Sequence, residues 1–264
     1  MMVGTLVLFH AHPDDEAIAT GGTMARAAAE GHRVVLVCAT RGELGEVPDG
    51  FLDDGETLAE RREAELDAAA KILGCARVAF LGYRDSGMEG ESTNTDPGCF
   101  AGADLDEAAH RLAAILREES AEVLTVYDER GNYGHPDHIQ VHRVGIRAAE
   151  IAATPRVYEA TVNRDHFLEL MAARAGELAQ IEGAPNPEEM NLGVPAEFIT
   201  TTIDVRDYIT TKRAAMGAHA SQISGESFFM VMPDDSFVAA FGQEWFIRRG
   251  PVRAASEDTL FPTT

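Results

Sequence analysis

Two short runs of this 264-residue chain crowd imidazoles and carboxylates together: His12-Pro13-Asp14-Asp15-Glu16 and Tyr133-Gly134-His135-Pro136-Asp137-His138. If the runs meet, His12, Asp15 and His138 offer two imidazoles and one carboxylate. That is the donor set of a catalytic zinc with a further position left for water. The same donors also suit Fe2+, Co2+ and Ni2+. A water whose pKa a metal has lowered needs a base, and Asp14, beside Asp15 but pointing differently along the turn, is placed to be one. In the second run His135 and Asp137 flank His138. An imidazole paired with a carboxylate stays protonated more readily, which suits stabilising an oxyanion or protonating a leaving amine. Tyr133 adds a neutral donor.

Either run alone is a weak signal, because acidic residues after a strand are often only helix N-terminal charges. Their placement in the chain gives them weight. The first run follows the apolar strand Thr5–Phe9 and precedes Ile18, Met24, Ala25 and Ala28, which recur at helical spacing. A helix is expected over 17–30, with Gly21-Gly22 allowing a close neighbour and Gly31 as its stop. Further strands are expected at 33–39, 77–81, 123–126 and 156–158. Helices are expected from Thr57, where Glu60 completes a capping-box pattern, from Asp104 to Glu119, and over 136–153 with Pro136 in the first turn. Strand-then-helix alternation of this kind implies an α/β fold, Rossmann-like and doubly wound, with a mainly parallel sheet and helices on both faces. In the two-half topology the first and fourth strands lie side by side. The second run follows the fourth strand, so both runs would face one crevice at the switch point.

Beyond about residue 160 the pattern thins to a helix over 165–181, a turn-rich stretch over 183–195, a strand over 201–205, a helix over 207–219 and a late strand over 243–249. This is read as a C-terminal cap, so that a core of 1–160 and a cap of 161–264 make one domain. The loops at 82–103 and 183–195 are expected to shape a substrate pocket.

Composition narrows the partners. Hydrophobic residues make up 45% of the chain, enough for a core, and the formal net charge is −22. Such a balance disfavours nucleic acid and anionic membranes but not a small polar substrate. Three scattered cysteines, Cys38, Cys75 and Cys99, suggest a reducing compartment rather than a disulfide framework. No basic leader precedes the first strand and no apolar run approaches the roughly 18 residues of a membrane span. A soluble cytoplasmic protein is expected, its oligomeric state open and a homo-oligomer allowed. His142, four residues after His138, is read as a surface or supporting group. His10 and His32 are read as packing or surface residues, and His110 and His166 as having no site context.

Ala11-His12-Pro13-Asp14-Asp15-Glu16 with His135-Pro136-Asp137-His138 resembles the signature pair of the PIG-L/LmbE-like zinc-dependent N-deacetylases, over about residues 3–160. The resemblance implies removal of an acetyl or other acyl group from the 2-amino group of a glucosamine-containing compound. It also implies Zn2+ on His12, Asp15 and His138, and Asp14 as general base. His135 would be a charged oxyanion stabiliser oriented by Asp137, and Tyr133 a mobile donor to the amide carbonyl. Arg62, Asp85 and, from the Ala218–Gln222 segment, His219 would contact substrate; a helix-face salt bridge to Glu60 or Glu65 is the plainer reading of Arg62. The Tyr83–Met88 and Gly131–His138 segments resemble the mycothiol-related branch. N-acetylglucosaminyl-inositol, mycothiol conjugates and antibiotic sugars all stay open as substrates. A nucleotide-binding oxidoreductase would need G-x-G-x-x-G where His-Pro-Asp-Asp-Glu stands, and is rejected. A catalytically silent metal-binding protein is the remaining alternative of another class.

Overall fold

Side chains alternate across the sheet, and this sets the layers. In the computed structural model, which describes residues 3–173, 192–250 and 256–261, strand β1 (Thr5–His10) sends Leu6 and Leu8 to one face and Val7 and Phe9 to the other. Strand β2 (Arg33–Cys38) does the same with Val34 and Leu36 against Val35 and Val37. Both faces are therefore apolar and both are covered. Helices α2 (Gly21–Ala29), α3 (Leu58–Ile72) and Ile209–Ala218 cover the first, following the short α1 (Asp15–Ala19). The second is covered by α4 (Leu105–Glu118) and, after the short turn α5 (Gly131–Gly134), by α6 (Pro136–Ala152).

Among the described residues the sheet has seven strands in the order β3-β2-β1-β4-β5-β7-β6. Strands β3 (Arg77–Phe80), β4 (Val123–Tyr127) and β5 (Arg156–Thr161) run parallel to β1 and β2. Leu6 sits opposite Val34 on one side and Val123 on the other, so the reversal falls between β1 and β4, as the alternation predicts. The chain after residue 160 adds β7 (Gln243–Arg248) and β6 (Thr201–Asp204) antiparallel at the far edge. The capping box at Thr57 and Glu60, the Asp104 cap and Pro136 in the first turn of α6 are all present.

The helix expected over 17–30 is broken. Thr20 leaves helical geometry at φ −137°, and its hydroxyl donates to the Glu16 carbonyl and meets His10 Nε2 at 2.9 Å. A new helix start is thereby exposed, and its Gly22 and Thr23 N–H groups both donate to the Glu244 carboxylate at 2.8 Å. Lys212 Nζ reaches the same carboxylate at 2.6 Å. An anion at a helix N-terminus satisfies donors that the helix itself cannot. Of the helix expected over 165–181, α7 (Arg164–Ala173) is present and the rest lies outside the described residues. Most of the 183–195 stretch does too. Short helices at Phe228–Val231 and Asp234–Phe241 were not signalled by the sequence. No described helix is long and apolar enough to cross a membrane.

Candidate active site

The turn after β1 is built to hold Asp14 in an unusual place. Asp14 has φ 108°, a region that costs a non-glycine residue energy and persists only where neighbours enforce it. Here its N–H donates to Glu16 Oε2 at 2.9 Å, and the Arg62 guanidinium binds the Pro13 and Gly42 carbonyls and lies 3.3 Å from Asp14 Oδ2. The His12 N–H donates to Asp15 Oδ2 at 2.9 Å, which closes the turn.

A buried carboxylate organises the second run. Asp128, just past β4, accepts the Arg130 and Asn132 N–H groups at 3.0 Å and the Thr161 hydroxyl at 2.6 Å. Gly131 follows at φ 65°, and a Cβ there would lie 2.7 Å from His138 Cβ, so the loop closes tightly on the first turn of α6. His135 caps that helix: its Nδ1 accepts the Asp137 N–H, and a neutral ring then carries its proton on Nε2.

The two runs meet. Donor atoms of His12, Asp15 and His138 lie within 4.8 Å of one another. Asp15 Oδ2 is 3.4 Å from His12 Nδ1, and Asp15 Oδ1 is 3.3 Å from His138 Nε2. Tyr133 Oη lies 3.5 Å from the same His138 nitrogen, and the Tyr127 ring stacks on the other side of His138 at 4.4 Å. Two neutralisable imidazoles and a carboxylate at this spacing fit a divalent cation that takes nitrogen and oxygen donors. Burial disfavours the Asp15 charge, yet His138 and His12 hold its carboxyl well below the usual carboxylate range. For Asp14, burial outweighs Arg62 and pushes its carboxyl up to about 6. Burial pulls the His12 imidazolium down, but hydrogen bonds to Asp137, Asp15 and Asp85 override it and raise its pKa well above the usual value.

All of these except Asp137 line a cavity of about 1080 Å³, and so do Arg62 and Asp85. Asp85 accepts the Gly87 and Leu44 N–H groups and lies 3.5 Å from His12 Nε2. Phe167, Leu170, Phe228, Phe229 and Trp245 give the same cavity much of its apolar lining. Tyr133 is 52% exposed at the entrance side of the cluster.

Several expectations are corrected. His135 is not paired with the Asp137 carboxylate, which instead accepts from Ser86 and contacts His12. Burial, with His12 and His138 beside it, lowers the His135 pKa to about 4 against the opposing pull of the Asp137 and Asp85 carboxylates. His219 is 0% exposed and does not line the cavity; its Nε2 lies 2.6 Å from Glu16 Oε1. From that segment it is Gln222 that reaches the cavity. Arg62 pairs with Asp14 and the Pro13 carbonyl and not with a neighbour on its own helix.

Among the other histidines, His10 is buried between Tyr127 and Thr20, His32 stacks on Phe261, and His142 faces the Tyr127 carbonyl. His166 does line the cavity, contrary to expectation, with Nε2 3.0 Å from the Ala239 carbonyl. Ser86, Glu16, Tyr127 and the Lys212–Glu244 pair were not singled out by residue type. The signal for Glu16 and Ser86 was their place inside the recognised runs.

Residues 7–149 match the model of the PIG-L family, described as GlcNAc-PI de-N-acetylase. The chain belongs to this family. A relative from Acidothermus cellulolyticus is 44% identical over 98% of this chain and 95% of its own length, and is named 1D-myo-inositol 2-acetamido-2-deoxy-alpha-D-glucopyranoside deacetylase. Among solved structures, a conserved protein from Thermus thermophilus superposes with TM-score 0.61 at 23% identity, covering 96% of this chain and 98% of that one. The N,N'-diacetylchitobiose deacetylase of Pyrococcus horikoshii gives 0.57 at 22% identity, covering 92% and 83%. These two likenesses concern the fold: a seven-stranded, mostly parallel α/β sheet with its site at the carboxyl ends of β1 and β4 in this chain.

Proposed function

We propose that this PIG-L-family enzyme hydrolyses the acetamide of an N-acetylglucosaminyl-inositol, releasing acetate and the free 2-amine. The observation that carries the reading is the convergence of His12, Asp15 and His138, with Asp14 beside them, in one cavity. The full-length relative named for that substrate supports it. His12, Asp15 and His138 would hold a divalent cation, zinc by donor type. Bound there, the cation would polarise the amide carbonyl and lower the pKa of water.

The protein's own groups do the rest. Asp14, fixed by Arg62 and by the Glu16 carboxylate at its N–H, takes the proton from the attacking water. Negative charge developing on the carbonyl oxygen is met by the Tyr133 hydroxyl and the His135 Nε2–H. As the C–N bond breaks, the amine leaves with the proton that Asp14 took. Arg62 and Asp85 orient the sugar, and residues beyond 160, among them Phe167 and Trp245, line the same cavity, which supports reading core and cap as one domain. A cytoplasmic setting goes with a small polar substrate and three free cysteines.

The test is metal content by elemental analysis together with amine release from N-acetylglucosaminyl-inositol, for wild type and His138→Ala. One metal per chain and amine release, both lost in the variant, is the expected result. A wild type that binds no metal after reconstitution and releases no amine overturns the reading.

A further inference from the structure

Ser86 is wholly buried in the long loop after β3, and both of its donors go to one carboxylate. Its N–H donates to Asp137 Oδ2 at 3.0 Å and its hydroxyl to Asp137 Oδ1. The serine is locked in turn: the Ala101 N–H donates to Ser86 Oγ, and Thr93 and Asn94 donate to the Ser86 carbonyl. Asp137 is itself fully buried and does not line the cavity, so its carboxylate cannot meet substrate. Its Oδ2 has one further partner, His12 Nε2, at 3.1 Å.

The other His12 nitrogen, Nδ1, is the one that faces Asp15, which also meets His138 Nε2. An imidazole can give only one nitrogen to a cation, and the hydrogen bond at the other nitrogen selects the tautomer. We infer that Ser86 and Asp137 are positioning residues for His12: Asp137, clamped by Ser86, accepts the His12 Nε2–H and so turns the Nδ1 lone pair toward Asp15 and His138. This gives the 82–103 loop a role in metal affinity. The hydrogen bond between His135 and Asp137 runs through the Asp137 backbone N–H, although a carboxylate oxygen of Asp137 lies within 4.8 Å of a His135 ring nitrogen. Asp85, 3.5 Å from His12 Nε2, is a weaker second acceptor for the same proton.

The inference rests on His12, Asp15 and His138 as metal ligands, and the experiment separates the two. Zinc dissociation constants would be measured by competition with a chromophoric chelator for wild type, Ser86→Ala, Asp137→Asn and His138→Ala, with melting temperatures recorded to confirm folding. The expected result is one tight zinc per wild-type chain, abolished in His138→Ala and weakened about 10–100-fold in Ser86→Ala and Asp137→Asn, the range for partners behind a ligating histidine. Nitrogen-15 NMR of the zinc-loaded wild type should place the His12 proton on Nε2. Tight wild-type binding with unchanged affinity in both folded variants, or a His12 proton on Nδ1, overturns the inference and leaves the metal site standing. No zinc binding by wild type removes both.

Discussion

Glu16 and His219 stand 203 residues apart in sequence and meet at 2.6 Å in the interior, both fully buried. The second Glu16 oxygen accepts the N–H of Asp14. One carboxylate thus ties the helix Ile209–Ala218, which His219 ends, to the strained turn that carries Asp14. His219 serves the site without touching the cavity, because what it fixes is the backbone under Asp14.

Removing one member of this pair leaves a buried charge alone, a loss of roughly 3–5 kcal/mol. His219→Gln and Glu16→Gln should each destabilise by that order, and the double variant by less than the sum. The pH dependence follows from the direction of each shift. Burial opposes the His219 charge, but Glu16 raises its pKa above 6.5, so its contribution is full below 6.5 and fades as pH climbs through the raised value. Burial likewise opposes the Glu16 charge, but His219 lowers its pKa below 4.5, so its contribution is full above 4.5 and fades as pH falls through the lowered value. The melting-temperature gap between wild type and His219→Gln should be widest from 4.5 to 6.5 and shrink in alkali. A gap that grows steadily above pH 8 contradicts the pairing.

Asp14 sits beside the proposed ligands without being one of them. Asp14→Asn should keep metal stoichiometry while turnover falls by about 10²–10⁴-fold, the usual worth of a positioned general base. Metal content and steady-state kinetics on the same preparation decide it. Near-normal turnover with metal bound would take the role of base away from Asp14.

How far the sequence could go is clear from particular residues. The continuous apolar run Thr5–Phe9 and the turn residues after it suffice to place His12, Asp14 and Asp15 at a strand end, and the strand order brings His138 to them. Those are local signals joined by one topological rule. Side-chain direction is not local. Whether the Asp137 carboxylate faces His135, two residues away, or Ser86, 51 residues away, depends on how the loop after β3 packs. The break at Thr20 was equally hidden, since the helix start it exposes at Gly22 and Thr23 is satisfied by a carboxylate 222 and 221 residues further along the chain. Nor does an apolar residue in the last hundred positions say which wall it will line.

Tyr133 offers its hydroxyl from an exposed position near His138. Little packing depends on it, so Tyr133→Phe should leave the unfolding free energy within about 0.5 kcal/mol of wild type. If the hydroxyl meets the carbonyl oxygen as charge develops, kcat should fall roughly 10²–10³-fold, as for the loss of other oxyanion donors. A variant with unchanged kcat and raised KM would assign the hydroxyl to ground-state binding instead.

Gly21 and Gly22 begin the same helix but should respond in opposite ways to alanine. A Cβ at Gly21 would have nothing closer than Lys212 Cγ at 3.4 Å, an ordinary contact. Gly21→Ala should then be neutral or stabilising by up to about 1 kcal/mol, from the lower entropy of the unfolded chain. A Cβ at Gly22 would lie 2.4 Å from Val205 Cβ and 2.5 Å from Val205 Cγ2, and Val205 is itself fully buried. Nor can the backbone move away cheaply, because the Gly22 N–H is bound to Glu244, which also holds Thr23 and Lys212. Gly22→Ala should therefore cost about 1–3 kcal/mol in urea unfolding, the range for overpacking a closed interior. Equal effects from the two substitutions would mean that α2 and the 205 region can separate, and that the Glu244 anchor is weaker than its three donors imply.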